Sequence, residues 1–279
     1  MKPLLAAALG ALALALVAPP ATAADMPVKA VYKAPIVDPW TGFYVGANLG
    51  YSWGHSFTVG QVTDITPGFN LGQRSIAGQT FPMKGLIGGG QAGFNWQVTS
   101  RFLLGLEADL QASGQRGSTL FTCNTVRCFP FVETPETILG VGNVSERLTW
   151  FSTLRARGGL LFTPSTLVFV TGGAAAGHIT SSGNFVVPNP LGLVGSLITT
   201  PFSSSVTKVG WTVGGGFETR IDPCWSVKFE YLYIDFGSVS GVVSTTVPAS
   251  QFSYVSRVTD NILRVGINYR FGETVVAKY

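Results

Sequence analysis

Between Phe43 and Trp53 the chain alternates without interruption. Phe43, Val45, Ala47, Leu49, Tyr51 and Trp53 share one parity, and Tyr44, Gly46, Asn48, Gly50 and Ser52 share the other. A period of two is that of a β-strand, whose successive side chains point to opposite faces. The same pattern returns along the chain, and charge falls on one parity only. A soluble barrel would bury its apolar face and show charges outside, whereas here the apolar, aromatic parity forms a continuous surface and the charges lie opposite. A membrane interior demands that every backbone polar group be satisfied within the protein, which leaves helices and closed barrels. Past the first residues, no uncharged apolar run reaches the ~20 residues of a membrane helix. Charged residues are only 11% of the chain, against about 25% in soluble domains. These constraints predict an all-β fold, an antiparallel up-and-down transmembrane β-barrel.

Eight strands are predicted. After Phe43–Trp53 come Leu86–Trp96 and Phe102–Gln111, then a fourth from Arg147 to Phe162. The fifth, Leu167–His178, is rich in Gly and Ala, and its facing is not fixed by pattern. Val209–Glu218, Trp225–Tyr233 and Leu263–Phe271 complete the set. The links near residues 98, 163 and 221 are short. Those at 54–84, 112–146, 179–206 and 237–260 are long and polar, and are read as loops. Short periplasmic turns and long external loops are the habit of outer-membrane barrels, so both chain ends are expected in the periplasm. Before the barrel, Lys2, the apolar run Leu4–Ala18 and Ala21-Thr22-Ala23 read as a secretory leader over 1–23. Residues 24–39, with three prolines, read as a flexible periplasmic lead-in, and 40–279 as the barrel.

The inward charges form the most informative constellation. Glu107, Asp109, Glu218 and Glu230 are positioned to pair with Arg155, Arg157, Lys228, Arg264 and Arg270. An eight-stranded barrel has an interior just wide enough for side chains to fill. A salt-bridged plug is therefore expected, with a selectivity lining for small hydrophilic solutes as the alternative. No Ser/His/Asp arrangement or substrate cleft is visible, so no catalysis is expected. Gly88-Gly89-Gly90-Gln91-Ala92-Gly93 formally matches a dinucleotide loop, but it lies inside an alternating strand rather than before a helix. The net charge of +4 is scattered, which gives no nucleic-acid partner. Trp40, Trp96, Trp225 and Phe271 are assigned to one interfacial aromatic girdle, and Trp53, Trp150 and Tyr233 to the other. Cys123 and Cys128 are expected to form a loop disulfide after export, ahead of a metal site, for which neighbouring His or acidic ligands are lacking. Cys224 is expected to stay free. No cofactor or metal is implied.

The motifs also resemble a known family. Trp40-Thr41-Gly42-Phe43-Tyr44-Val45-Gly46 resembles the opening strand of alphaproteobacterial small outer-membrane β-barrel proteins. Leu154-Arg155-Ala156-Arg157-Gly158-Gly159, Gly210-Trp211-Thr212-Val213-Gly214, Lys228-Phe229-Glu230-Tyr231-Leu232-Tyr233 and Val265-Gly266-Ile267-Asn268-Tyr269-Arg270-Phe271-Gly272 are similar to its later strands. These proteins carry porin-like or surface-antigen labels and are similar to the transmembrane barrel domain of OmpA. The resemblance implies an integral, surface-exposed envelope protein, with outer-membrane lipids and the barrel-insertion machinery as its partners. It also implies a terminal aromatic insertion signal, for which Phe271 and Tyr279 are both candidates.

Overall fold

The computed structural model of the chain describes residues 40–64, 73–124, 139–188, 197–246 and 249–271. The leader and the lead-in lie outside them, as do Cys128 and the side chain of Cys123. The strand segments are β1 (Gly42–Asp64), β2 (Gln73–Gln97), β3 (Phe102–Ser113), β4 (Arg116–Asn124), β5 (Leu139–Thr163), β6 (Thr166–Pro188), β7 (Leu197–Arg220), β8 (Trp225–Thr246) and β9 (Ala249–Phe271). All pairings are antiparallel, and β1 bonds to both β2 and β9, so the sheet closes into a ring. β3 and β4 share the neighbours β2 and β5 and are parted only by Gly114-Gln115. They form one interrupted strand, which makes the barrel eight-stranded.

At the break, Gly114 N–H donates to the Leu86 carbonyl and Leu148 N–H to the Gln115 carbonyl. Gly85 lies directly against Gly114, and a Cβ there would collide with the backbone of residues 114 and 115. This close approach requires glycine.

The short turns lie at one end of the barrel. Asp222 Oδ1 accepts from the Cys224 and Trp225 amides at 2.7 and 2.8 Å. Thr99 Oγ1 accepts from the Arg101 and Phe102 amides. Such side-chain-to-backbone bonds let Asp and Thr set tight turns.

The outward face is apolar and open: Phe43 is 66% exposed, Leu86 67% and Val209 74%. Inward polar residues on the same strands are buried. Soluble monomers do not present so large an apolar surface. From Phe43 to Trp53 a strand covers about 33 Å, which a tilt of about 40° reduces to about 25 Å, the height of an outer-membrane apolar band.

The segments expected as long loops need correction, because most of them are strand. β1 runs on to Asp64, β7 begins at Leu197 and β9 at Ala249. The β7 and β9 extensions carry Ser and Thr at both parities, so the alternation fades there while the backbone still pairs.

One seam interrupts the wall. β7 and β8 pair only from Trp211↔Asp235 to Arg220↔Ser226. Towards the loop end, among the described residues, β7 pairs with β6 alone and β8 with β9 alone. The seam starts at a bulge in β8 between Asp235 and Ser238, where Gly237 has φ +71° with open space around its Cβ position. Only the backbone conformation demands glycine there. Gly237→Ala should lower stability by about 1 kcal/mol, read as a lower urea midpoint for the refolded barrel with an unchanged slope.

Candidate functional site: a stratified lumen

Cross-strand register brings the inward charges together. Glu107 lies opposite Arg155, Glu218 opposite Lys228, and Glu230 opposite Arg264. Arg155 reaches three carboxylates: Asp109 at 2.9 Å, Glu230 at 2.7 Å and Glu107. Arg264 contacts Asp109 at 2.8 Å and Glu230 at 2.6 Å. Lys228 Nζ donates to both oxygens of Glu107 at 2.8 Å. Arg157 donates to Glu218 at 2.8 Å and to the Tyr44 hydroxyl at 3.1 Å, while Tyr44 donates to Glu107 at 2.6 Å. The cluster holds four carboxylates (Glu107, Asp109, Glu218, Glu230) and four cations (Arg155, Arg157, Lys228, Arg264), so its formal charge is zero.

Neutral groups complete the hydrogen bonding. Ser226 and Asn268 donate to Glu218 at 2.5 and 2.8 Å, and Thr153 to Asp109 at 2.9 Å. A chain of amides runs on from Asn268, which accepts from Gln91 at 2.5 Å, and Gln91 accepts from Asn48 at 3.1 Å.

Apolar layers flank the charges. Towards the turn end, Trp40 packs with Leu103, Leu161, Leu167 and Phe169. Trp40 Nε1 donates to the Pro164 carbonyl at 3.2 Å, and the Arg157 guanidinium lies 4.2 Å from the Phe169 ring centre. Towards the loop end, Ile87, Phe151, Ile179, Leu232, Phe236 and Ile262 belong to a larger buried cluster. Within it lies Asp260, which accepts from Ser52 at 2.7 Å and from Gln115 at 2.8 Å. The strand break thus aims Gln115 across the lumen at Asp260.

Of the residues singled out from sequence, Glu107, Asp109, Arg155, Arg157, Glu218, Lys228, Glu230 and Arg264 share this cluster. Arg270 does not. Its guanidinium donates to the Pro223 carbonyl at 2.5 Å, at the turn-end mouth, because its position on β9 is already past the last carboxylate. Trp40 also departs from the expected girdle. It precedes β1, shares the parity of the lumen residues Tyr44 and Asn48, and folds into the lumen, where it is 2% exposed. Trp53, Trp96, Trp150, Trp225 and Phe271 are exposed on the outer wall, and Tyr233 is half-buried there. Cys224 carries a free thiol in the turn before β8.

Sequence reasoning missed the larger apolar layer. Phe81, Met83, Val239 and Val258 fell in segments read as loops, and Phe236 lay between the seventh strand and the loop after it. A signal was present: Phe81, Met83 and Ile87 continue the parity of the lumen residue Gln91.

Residues 7–271 match the outer membrane protein beta-barrel domain. The chain belongs to that family. This barrel protein is similar to the 31 kDa outer-membrane immunogenic protein of Brucella melitensis, 33% identical over 274 residues, covering 92% of this chain and 96% of that protein. The Brucella suis protein of the same description gives the same figures. Among solved structures, the barrel is similar to the outer membrane protein OprG of Pseudomonas aeruginosa, at 11% identity and a TM-score of 0.41, covering 84% of this chain and 97% of that one.

Removing one ion from the barrel's balanced cluster leaves one buried charge uncompensated. Glu107→Gln should destabilise the fold by about 3–5 kcal/mol. Adding Lys228→Met to that variant restores charge balance and should recover a good part of the loss. Urea unfolding of the refolded proteins reads both effects.

Proposed function

We propose that this chain is a non-enzymatic outer-membrane barrel with a closed lumen, which stabilises the envelope and displays its loop end at the cell surface. The stacking of an apolar floor, a neutral ion network and a second apolar layer carries the reading. An ion or hydrated solute moving along the axis would have to break the network and cross two layers that offer it no hydrogen bonds. Eight strands leave little bore in any case.

The two ends of the barrel support an orientation with the turns in the periplasm and the loop end outside. The turn end has three tight links, and the loop end carries strand extensions rising beyond the apolar band. Outer-membrane barrels place their short turns in the periplasm. The Brucella relatives carry the description "immunogenic", in keeping with an exposed loop end. On this reading a leader over 1–23 directs export, 24–39 lie in the periplasm, and Cys123 and Cys128 pair outside the cell. Outer-membrane lipids and the barrel-insertion machinery are the partners.

A second reading, passive passage of small hydrophilic solutes, is favoured by the unpaired seam between β7 and β8. Planar-bilayer recording separates the two. The refolded protein should show no stepwise conductance, and Arg155→Ala should not create any, since both apolar layers remain. Reproducible conductance that changes with Arg155→Ala would overturn closure.

Orientation has its own test, in a background with Cys123 and Cys128 changed to Ser. Ser240→Cys, exposed near the loop end, should react with a membrane-impermeant maleimide on intact cells. Cys224 should react only after lysis.

A further inference from the structure

One hydrogen-bonded rung crosses the outer wall at the loop-end border of the apolar band. Trp53 pairs with Lys84, Lys84 with Arg116, and Arg116 with Arg147. All three cations are exposed on the outward face. Side chains directly opposite on adjacent strands stand about 5 Å apart, and like charges so placed repel.

Among the described residues, nothing on the protein side compensates them. The outward neighbours one step along each strand are Pro82, Leu86, Gly114, Ser118, Ser145 and Thr149, and Arg147 pairs onward with Thr180. Glu146, adjacent in sequence, turns into the lumen and is buried. Among the described residues none of the three cations forms an ion pair. The wall can supply such a partner elsewhere: exposed Arg257 has Asp235 at 2.7 Å.

We propose that Lys84, Arg116 and Arg147 form a docking row for the phosphate groups of a phosphorylated lipid in the leaflet that surrounds the barrel's loop end. Three features select a lipid over a free anion. The row abuts Trp53, with Trp150 three residues beyond Arg147, and such amphipathic rings favour the membrane interface. On the membrane side lies exposed Leu86, a surface for acyl chains, and on the other side lie Ser118 and Ser145. The two guanidiniums are adjacent forks, suited to bidentate binding of phosphate oxygens, with the lysine as a further point charge. Naming this as the outer leaflet rests on the orientation proposed above.

The test is a titration of the full chain, purified in non-ionic detergent, with lipid bound per barrel counted by native mass spectrometry. The probes are a bis-phosphorylated glucosamine-disaccharide lipid, the same lipid with both phosphates removed, and inorganic phosphate. The variant K84Q/R116Q/R147Q should bind the phosphorylated lipid at least about fivefold more weakly, while R257Q should bind it as the parent does. The parent should prefer the phosphorylated over the dephosphorylated lipid by at least about fivefold, which gives a decision even where the triple variant does not refold. A smaller loss, a smaller preference, an equal loss in R257Q, or displacement of the lipid by an equal concentration of inorganic phosphate would overturn the proposal. Binding in micelles does not depend on which end of the barrel faces outward. Failure here therefore leaves the orientation untouched, and failure of the maleimide test would move the row to the other leaflet without removing it.

Discussion

Eight acidic and basic side chains share one buried space inside the barrel, and the remaining structure is arranged so that they can stay there. Burying an ion costs several kcal/mol, which is offset only when opposite charge and hydrogen bonds are close and well placed. Here four carboxylates meet four cations across strand pairs, with Tyr44, Thr153, Ser226 and Asn268 filling remaining positions. The network in turn fixes register. A slip of one residue between β3 and β5 would send Glu107 or Arg155 to the lipid face and its neighbours inward. That error would place a charge in hydrocarbon and leave its partner alone. Small residues make the room: a Cβ on Gly93 would run into the Tyr44 ring that bridges Glu107 and Arg157.

The apolar layers and the ions depend on each other. With Trp40 and Leu103 on one side, and Phe151 and Ile262 on the other, water has little access to the charges. Low local polarity strengthens each well-made pair and penalises any broken one. The ion layer also sits within the height of the apolar band, since Tyr44 is in register, through Gly93, with Glu107, and Gly50 with Arg264. The barrel is thus driest inside where it is surrounded by hydrocarbon outside.

Much of this was legible in the sequence, and the parts that were not share a physical cause. Period two identifies a strand only while its two faces differ. Between Phe43 and Trp53 they differ sharply, so facing, membrane band and lumen charges could all be read. Beyond Trp53 the outward parity still holds Phe57 and Val59, but His55, Gln61 and Thr63 stand among them, so the pairing that continues to Asp64 marks the pattern only weakly. The fifth strand failed differently. From Gly172 to Gly177 its side chains are too small to show a preference, and only Leu167, Phe169 and Ile179, buried, settle its facing. Trp40 was misplaced because it was assigned by height alone, near the turn-end rim, although the parity of the lumen residues Tyr44 and Asn48, carried back two steps, points it inward. Arg270 was misplaced because parity gives direction but not height: it points off the lipid face, yet beyond the reach of any carboxylate in the network.

The same reasoning about height separates two kinds of charge on this molecule. Within the membrane band, every strand charge in the described structure faces inward and is held by a partner on another strand. At the border of the band, Lys84, Arg116 and Arg147 face outward in one rung and have no such partner among the described residues. The sheet fixes the spacing of their Cβ atoms, so their charged heads can relieve repulsion only by splaying apart. The protein is able to place a carboxylate beside an exposed cation, as Asp235 beside Arg257 demonstrates. Where the described residues place none, and where the neighbouring surface is aromatic and aliphatic, the proposed lipid phosphate would supply the negative charge that the wall itself does not.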